Sequence, residues 1–534
     1  MSSNIESLWV FALASKYKSY TSIINFLVLV SASALAWLVI TFIYWAHPGG
    51  PAWGKHKWVE KRRTNHCSSS SGRVIPGPKG FPVIGSMSLM TGLAHHKLSA
   101  MAKACGATRL MAFSLGETRV IITSNPDVAK EILNSSVFAD RPVKESAYRL
   151  MFNRAIGFAP HGVYWTSLRR IAANHLFCPK QIKAFGSQRF DLAHQMVNMF
   201  RGQADKVVTV RDGLRKASLS NMMASVFGKT YGLDSEEAEL RKLVDEGYDL
   251  LGMLNWSDHL PWLSEFDLQH IRARCSSLVP KVDQFVRRII SQHREKNTGH
   301  DFVDVLLSLQ GREKLSEDDM VAVLWEMIFR GTDTVAVLIE WVLARMVIHA
   351  DIQSKVHDEL DMITRRSRSV TEADLSSMVY LPAVVKEVLR LHPPGPLLSW
   401  ARLAITDTIV DGHHVPAGTT AMVNMWAITR DPHVWEDPLS FKPERFLDCG
   451  SPDVEFSVMG SDLRLAPFGS GRRACPGKAL GLATVTFWVA TLMQEFEWSQ
   501  ASDSGVDTSE VLKLSCEMAK PLVARVEPRR ANYV

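Results

Sequence analysis

The stretch Phe468-Gly469-Ser470-Gly471-Arg472-Arg473-Ala474-Cys475-Pro476-Gly477 decides which fold and chemistry this chain of 534 residues can have. It places one cysteine just before a long apolar segment, between glycines and after two arginines. A helix N-terminus and nearby guanidinium groups lower the pKa of a cysteine, and the thiolate is the form that binds a metal. The alternative is a buried structural cysteine, the usual environment of a free thiol. The full spacing of Phe, Gly, Arg, Cys and Gly favours a metal ligand.

The residues on either side of Cys475 fit a protected thiolate. Gly471 and Gly477 would let backbone N–H groups approach the sulfur, where hydrogen bonds tune a bound metal. Phe468 would shield the sulfur from water. The segment that follows is apolar nearly all round, from Leu480 to Leu492, and therefore predicts a buried helix.

Composition and cysteine usage exclude several classes of protein. The net charge of +6 is too small to indicate a nucleic-acid partner, and no basic tract is interleaved with aromatic residues. The seven cysteines are scattered and form no CxxC pair. This pattern indicates a reducing compartment and argues against both a disulfide framework and a zinc site.

The N-terminus predicts a membrane anchor. Residues 23–46 carry no charge and are long enough to span a bilayer. A cleaved signal peptide is the alternative, but the apolar run exceeds a typical signal-peptide core. Lys16 and Lys18 precede the run closely, whereas a larger group of cations follows it: Lys55, Lys57, Lys61, Arg62 and Arg63. The positive-inside rule then places the large C-terminal part in the cytosol.

Four parts of the chain follow from these boundaries. Residues 1–22 would be a lumenal segment, 23–46 a single transmembrane helix, 47–75 a basic linker and 76–534 one cytosolic domain. The proline-rich segment 76–82 would set the angle between the domain and the membrane. The expected location is the endoplasmic reticulum membrane.

Periodicity predicts a mainly α-helical domain with small β-sheets. A long helix should begin near Ser316, where a capping-box pattern stands, and run to about His349. A second helix should run from Tyr380 to Leu391 and stop before two prolines. Short β-like runs occur at residues 119–123 and 408–410.

An acid and an alcohol lie in the middle of the long predicted helix. The run is Arg330-Gly331-Thr332-Asp333-Thr334, and polar groups at this depth are costly unless they are satisfied. Gly331 would make room for a small ligand, and Thr334 offers a hydroxyl that can relay a proton. The alternative is a threonine bonded to its own helix, with Asp333 in a structural ion pair.

Two further pairs share helix faces. Glu387 and Arg390, three residues apart, have apolar neighbours, and Arg445 downstream is a possible third member of a buried network that locks the fold. Trp165 and Arg169, four residues apart, either stack on each other at the surface or hold an anion at a cavity.

Together these motifs resemble the cytochrome P-450 superfamily, the haem-thiolate monooxygenases. The resemblance covers the chain from about residue 73 onward, and the segment around Cys475 matches the pattern Phe-x-x-Gly-x-Arg-x-Cys-x-Gly at every fixed position. The segments 45–50, 329–334 and 391–396 resemble the plant family numbered seventy-eight, subfamily A. That subfamily is associated with fatty-acid hydroxylation and with the control of organ and seed growth.

The resemblance implies a role for each motif. Cys475 would be the axial ligand of haem b, with Phe468 beside it. The haem propionates would be held by four residues: Trp165, Arg169, Arg402 and Arg473. Asp333 and Thr334 would deliver the protons that oxygen activation needs, and Glu387, Arg390 and Arg445 would form a structural triad.

Arg330 departs from the family, which usually has alanine or glycine at this position. One hypothesis is that its guanidinium pairs with a substrate carboxylate. The other is that it turns away and pairs with a neighbouring acid. Substrate contacts are also expected from the loops 143–158 and 248–262, including Met253 and Trp256.

The electrons must come from a partner. The chain has no dinucleotide-binding glycine motif or flavin domain, so the resemblance implies an NADPH-dependent diflavin reductase. Arg472, Lys478 and Arg170 would form a basic docking face for it. The alternatives to a monooxygenase are a haem-thiolate isomerase or dehydratase, and a non-enzymatic haem sensor.

Overall fold

The structure is a computed structural model, and it describes most of the chain. The described residues are 3–45, 49–50, 52–54, 74–203, 207–228, 237–296, 301–398, 400–447, 456–502 and 505–529. The basic linker predicted for residues 47–75, with its lysines and arginines, lies almost wholly outside them. So do Cys67 and Cys449.

The described chain is mainly α-helical with small β-sheets, as the sequence predicts. The helices are α1 Ser3–Trp45, α2 Ala94–Ala104, α3 Pro126–Asn134, α4 Glu145–Arg149, α5 Val163–His175, α6 Pro179–Ala184, α7 Gly186–Arg201, α8 Val210–Phe227, α9 Glu237–Gly252, α10 Ile271–Lys296, α11 Phe302–Ser308, α12 Glu317–Ile348, α13 Ala350–Thr364, α14 Tyr380–Leu391, α15 Met425–Ile428 and α16 Lys478–Glu495. The strands are β1 Met111–Leu115, β2 Thr118–Thr123, β3 Val207–Thr209, β4 Arg402–Leu403, β5 Thr408–Val410, β6 His413–Val415, β7 Thr420–Val423, β8 Phe496–Gln500, β9 Glu510–Leu512, β10 Cys516–Met518 and β11 Val523–Pro528.

The long helix α12 begins and ends where the sequence predicts. Ser316 caps its first turn by accepting the backbone N–H of Asp319 at 3.1 Å. At the other end His349 is the C-cap residue, and its backbone N–H bonds to the carbonyl of Arg345. The caps satisfy backbone groups that a helix terminus would otherwise leave unpaired.

Helix α12 passes through two separate hydrophobic cores. Its N-terminal half packs with α5, α8, α9 and α10, and the last helix residue in that core is Phe329. Its C-terminal half packs with α14, α16 and β8, and the first helix residue in that core is Ala336. The segment 330–335 lies between the two cores, so the acid–alcohol motif falls where apolar packing is interrupted.

The strands form one four-stranded sheet and three smaller pairings. The large sheet has the order β1-β2-β7-β4, in which β2 and β7 are parallel and the other pairs antiparallel. The remaining groups are β3-β11-β8, β5-β6 and β9-β10. The sheet fixes the position of Arg402 through β4, and the β9-β10 hairpin brings residues 514–517 beside α12.

The N-terminal helix α1 contains a candidate membrane span. Ser22–Phe42 has a mean hydropathy of 2.4 and none of the span is buried inside the protein. It overlaps the predicted anchor of residues 23–46, and among the described residues it is the one helix long and apolar enough to cross a bilayer. Its length and composition fit a membrane anchor.

A buried ion network ties α14 to the chain that follows it. Arg390 donates to both carboxylate oxygens of Glu387 at 2.7 and 2.8 Å, and Arg445 donates to one of them at 3.1 Å. Glu387 and Arg390 have no exposed side-chain surface. Arg390 also donates to the carbonyls of Thr429 and Pro438. Every charge is therefore paired, which is the condition for placing charge in a core.

The network predicts a large and specific loss of stability. Glu387→Gln would leave the guanidinium of Arg390 buried without a counter-charge, at a cost of about 3–5 kcal/mol. The measurement is the free energy of unfolding in urea, followed by circular dichroism. Glu444→Gln is the matched control, because Glu444 is 43% exposed in its ion pair with Lys355 and should cost under about 1 kcal/mol. Equal losses in the two variants would contradict this account.

Candidate functional site: a thiolate facing a cavity

Cys475 lies in a turn that leads directly into α16. Its backbone N–H donates to the carbonyl of Phe468 at 2.9 Å, and Gly477 is the N-cap residue of the helix. Gly471 has a φ of +66°, and a side chain there would collide with the carbonyl of Leu133 at the end of α3. The sequence assigned Gly471 to the sulfur's environment, whereas the structure shows that the turn itself requires this glycine.

Some features around the sulfur disfavour the thiolate form, and others favour it. Burial raises the pKa of Cys475, while Arg330, the backbone N–H of Gly477 and Arg169 lower it. Gly477 thus has the expected role of donating to the sulfur. Coordination to a metal deprotonates such a thiol outright.

The sulfur faces a cavity with about 1650 Å³ of empty space, its open mouth included. The wall is mostly apolar and is contributed by α8, α12, α14, α16 and the loops between them. Among the described residues Cys475 is the only cysteine on this wall. Phe468 lies on the wall beside it and packs against the core.

Buried guanidinium groups crowd one side of the cavity. Burial lowers the pKa of Arg402 to about 9 and of Arg473 to about 10, and repulsion between neighbouring guanidinium groups adds to the effect. The pKa of Arg169 is lowered by burial too. Arg141, which the sequence reasoning missed, has a pKa well below its usual value because of burial and three neighbouring arginines.

These arginines are held mainly by backbone carbonyls. Arg473 donates to the carbonyls of Ala139, Ile156 and Ala159, and Arg141 donates to that of Trp400 at 2.7 Å. A carbonyl offers only a partial negative charge. The cluster therefore retains positive charge that an anionic ligand would neutralise.

The partner of Trp165 is not the arginine on its own helix face. Its ring stacks under the guanidinium of Arg473 at 4.3 Å, and its indole N–H donates to Ile156. Arg169 donates to the carbonyl of Ala474 at 2.5 Å. Trp165 and Arg402 lie behind the described cavity wall, whereas Arg169 and Arg473 are part of it. Trp165 thus positions Arg473, and Arg402 donates to the carbonyl of Ser470.

The site fits an iron porphyrin. A protected sulfur faces the cavity, apolar side chains line most of its wall, and surplus guanidinium charge lies at one side. Porphyrin carboxylates complement that charge, and a cysteine thiolate is an established haem ligand.

Asp333 and Thr334 face two different cavities. Thr334 is exposed on the wall of the large cavity, while Asp333 lines a smaller, charged one on the other side of α12. There Arg215 reaches Asp333 at 3.3 Å and Glu517 at 2.6 Å. Burial raises the pKa of Asp333 and Arg215 opposes that shift. Asp333 is therefore compatible with both interpretations: it forms an ion pair with Arg215, and it precedes Thr334 directly in the chain.

The neighbouring glycine and threonine have structural contacts. The hydroxyl of Thr332, not of Thr334, bonds back to its own helix, at 2.7 Å from Ile328. Gly331 lies on the cavity wall, and a side chain there would collide with Met222 of α8. The expected space for a ligand is therefore partly taken by Met222, which itself lines the cavity.

Arg330 has a nearby acid and also lines the cavity. Its guanidinium lies 3.5 Å from the carboxylate of Glu326, one helical turn earlier, and 5.5 Å from the ring centre of Trp400. Glu326 is buried and accepts the backbone N–H of Gly157 at 2.8 Å. Its second carboxylate oxygen has no hydrogen-bond partner. The two hypotheses for Arg330 are geometrically compatible.

The described cavity wall includes neither Met253 nor Trp256, so the structure gives no support for their predicted substrate contacts. The ring of Trp256 is 45% exposed, and the sulfur of Met253 contacts Arg274. From the loop 248–262 only Tyr248 reaches the wall. Wall residues that the sequence did not indicate come from distant segments: Arg141, Met222, Trp400, Leu514 and Ser515.

The expected docking cations differ in their contacts. Arg170 pairs with Glu313 at 2.7 Å, and Lys478 donates to the carbonyl of Met459. Arg472 is exposed on the turn before Cys475.

Comparison with known proteins decides the family. The sequence model described as Cytochrome P450 matches residues 75–522. The chain belongs to the cytochrome P450 family. It is 66% identical to "Cytochrome P450 78A9" of Arabidopsis thaliana, covering 98% of each chain, and 63% identical to "Cytochrome P450 78A3" of Glycine max, covering 99% of this chain and 100% of that one. It is 35% identical to the "Flavonoid 3'-monooxygenase" of Arabidopsis thaliana, covering 87% of this chain and 94% of that one.

Family membership establishes the general chemistry. This cytochrome P450 is an oxidoreductase, a monooxygenase that uses haem with a cysteine thiolate as the axial ligand. Electrons reach such enzymes from NADPH through a separate redox partner. The resemblance to subfamily A of the plant family numbered seventy-eight is likewise confirmed.

Cys475→Ser tests the ligand. Loss of the thiolate should abolish the thiolate-type absorption of the reduced carbon monoxide adduct, because the spectrum depends on the sulfur. Cys105→Ser is the matched control: Cys105 contacts Met101 and lies off the cavity wall. A thiolate-type spectrum surviving in Cys475→Ser would show that another residue binds the iron.

Proposed function

We propose that this cytochrome P450 hydroxylates a fatty acid at the endoplasmic reticulum membrane, and that its product acts in plant organ and seed growth. The observation that carries the substrate class is a mostly apolar cavity whose wall includes a cationic side chain, Arg330, as well as Cys475. The close similarity to the plant relatives supports the rest.

The wall of the cavity suits an acyl chain. Apolar side chains from several elements share it, including Met222, Leu338, Leu389 and Leu480. Burying methylene groups against such a wall contributes about 0.8 kcal/mol each. The chain would lie beside Thr334, so a C–H bond would be held near the reacting centre.

Arg330 is the proposed contact for the carboxylate. Its described acidic neighbour is 3.5 Å away, which is longer than the 2.7–2.9 Å of a charge-assisted hydrogen bond. The guanidinium therefore keeps donors for a second anion. A carboxylate held here would place the first carbons of the chain near the haem, so hydroxylation would fall near the acid end.

Asp333 and Thr334 are the proposed proton route. Haem bound to the thiolate supplies the oxygen chemistry, and the chain must supply protons to it. The Asp333 carboxyl can take a proton from the smaller, charged cavity, and the Thr334 hydroxyl can pass one into the large cavity. Ser515 and Tyr248 lie on the walls of both cavities and connect them.

A diflavin reductase is the proposed source of electrons. Arg472 is exposed and lies three residues before Cys475. A reductase bound there would have a short path for electron transfer to the haem. The anchor α1 would hold both proteins on one membrane surface, which raises their effective concentration. The Asp333–Thr334 pair favours monooxygenation over isomerisation or haem sensing, because isomerisation and haem sensing do not need proton delivery.

The substrate is tested with the full chain in membranes, NADPH, a diflavin reductase and a panel of fatty acids. We expect a hydroxylated product, identified by mass, that needs both NADPH and the reductase. Product without NADPH would favour an isomerase, and no product from any acid would overturn the substrate class. Plants lacking the chain should have altered organ or seed size that Cys475→Ser cannot rescue.

Arg330→Ala tests the carboxylate contact. The KM for a fatty acid should rise about tenfold or more, because a hydrogen bond to a charged group is lost. The KM for the fatty alcohol of the same length should change little, and hydroxylation should spread along the chain. Arg464→Ala is the control, since Arg464 pairs with Asp462 away from the cavity. Unchanged KM and regioselectivity would show that Arg330 serves Glu326 alone.

Thr334→Ala and Asp333→Asn test the proton route. Product formation should fall about 10²-fold, the usual contribution of positioned proton transfer, while NADPH consumption continues without product. Thr334→Ser keeps the hydroxyl and should retain coupling. Thr491→Val removes a buried hydroxyl that bonds only within α16 and should leave coupling unchanged. Tight coupling in both test variants would exclude this route.

A further inference from the structure

A second group of metal-ligand side chains lies where the β9-β10 hairpin meets the first turn of α2. His95 and His96 are in that turn, Glu510 begins β9 and Cys516 begins β10. In the hairpin register Glu510 is opposite Met518. Met518 is two residues after Cys516, so the side chains of Glu510 and Cys516 lie on the same face of the hairpin. Two distant parts of the chain, α2 and the β9-β10 hairpin, thus bring two imidazoles, a carboxylate and a thiol together.

The separations are longer than good hydrogen bonds. Nε2 of His95 and Nε2 of His96 each lie 3.5 Å from the same carboxylate oxygen, Oε2 of Glu510. The sulfur of Cys516 lies 3.7 Å from that oxygen. The ligand atoms of His95, Glu510 and Cys516 all lie within 4.8 Å of one another.

The same separations suit a tetrahedral zinc ion. Zn–N and Zn–O bonds of about 2.0–2.2 Å and Zn–S bonds of about 2.3 Å put neighbouring ligand atoms about 3.3–3.7 Å apart. The three separations measured from Oε2 of Glu510 lie within that range.

His95 lacks any other partner. Its side chain is fully buried, and neither ring nitrogen has a hydrogen bond. Trp426 contacts both histidine rings, edge-on to His95 and stacked on His96 at 4.1 Å, which fixes their orientation. A buried, unpaired imidazole held toward a carboxylate and a thiol is costly unless a ligand satisfies it.

A further residue orients the carboxylate. Nε2 of His392 accepts from Arg345 at 2.6 Å, so its proton is on Nδ1, which donates to Oε1 of Glu510 at 2.9 Å. Oε1 is thus occupied, and Oε2 is left toward His95, His96 and Cys516. Hydrogen bonds of this kind to a ligating carboxylate are typical of metal sites.

The described residues contain a second group of acidic and histidine side chains, and its hydrogen bonds differ from those at His95. His293 is hydrogen-bonded to Asp301 at 2.9 Å, and Asp301 caps α11 by accepting two backbone N–H groups. Both ring nitrogens of His293 are thus hydrogen-bonded, whereas neither ring nitrogen of His95 is.

We propose that three convergent side chains, His95, Glu510 and Cys516, bind one Zn²⁺ ion, with His96 or a water as the fourth ligand. Imidazole and thiolate ligands in a tetrahedral set select zinc over the hard cations. Binding releases the thiol proton to solvent, and one thiolate with one carboxylate neutralises the ion. His96, 41% exposed, leaves a path for entry.

The ion would brace the hairpin that serves both cavities. Leu514 and Ser515, between the two strands, lie on both cavity walls, and Glu517 holds Arg215 beside Asp333. Bonds from the ion to α2 and to the hairpin would fix this loop. The sequence argued against zinc because no two cysteines are closely spaced; the proposed site needs only one.

The test measures metal in the haem-loaded full chain. Protein made with added zinc and dialysed against a weak chelator should hold about one zinc per chain by mass spectrometry. His95→Ala and Cys516→Ser should each lower that content at least about tenfold. Cys105→Ser and His293→Ala, at the far end of α2 and in the other group, should keep it. The reduced carbon monoxide spectrum reports whether each variant is folded.

A second measurement does not depend on variants. Wild-type protein stripped of zinc should take up one equivalent in competition with a chromophoric chelator, and its unfolding temperature should rise with zinc. Lack of one-to-one uptake by the wild type would overturn the proposal. So would equal zinc content in His95→Ala, Cys516→Ser and the controls, because the ion would then lie elsewhere.

Discussion

Positive charge buried around a single thiol is the constraint on which the site depends. Arg141, Arg402 and Arg473 each have a lowered pKa because they lack water and lie near one another. The protein meets part of this cost with backbone carbonyls and with the ring of Trp165. Asp140, 3.6 Å from Arg473, meets a further part, and a bound anion would stabilise the positive charge that remains.

Helix α12 contributes polar side chains to the wall of this charged pocket. It is packed in one core up to Phe329 and in another from Ala336 onward. In the intervening segment 330–335, Val335 packs against the second core, and the other side chains can face different spaces. Thr334 faces the large cavity and Asp333 faces the smaller one, so the acid and the alcohol of the motif lie on different sides of one helix.

Two polar clusters outside the cavity hold this frame together by different means. In the Glu387 network the carboxylate pairs with the guanidinium groups of Arg390 and Arg445, and backbone carbonyls accept the remaining hydrogen bonds. This network needs no further ligand. The cluster at His95 leaves a fully buried imidazole without a hydrogen bond. Charge pairing thus accounts for the first cluster, whereas a bound ion would complete the second.

The sequence by itself determined the fold class and the bounds of α12 and α14, and it predicted Cys475 as the ligand. These are local properties: caps, prolines and apolar periodicity act within a few residues. Only the tertiary structure decided that Trp165 stacks on Arg473, that Arg141 joins the cavity wall and that Met253 stays off it. Such contacts join residues more than a hundred positions apart, and no local pattern encodes which distant side chain will share a buried space. The same holds for Cys516 and His95, which meet only after α2 and the β9-β10 hairpin have packed.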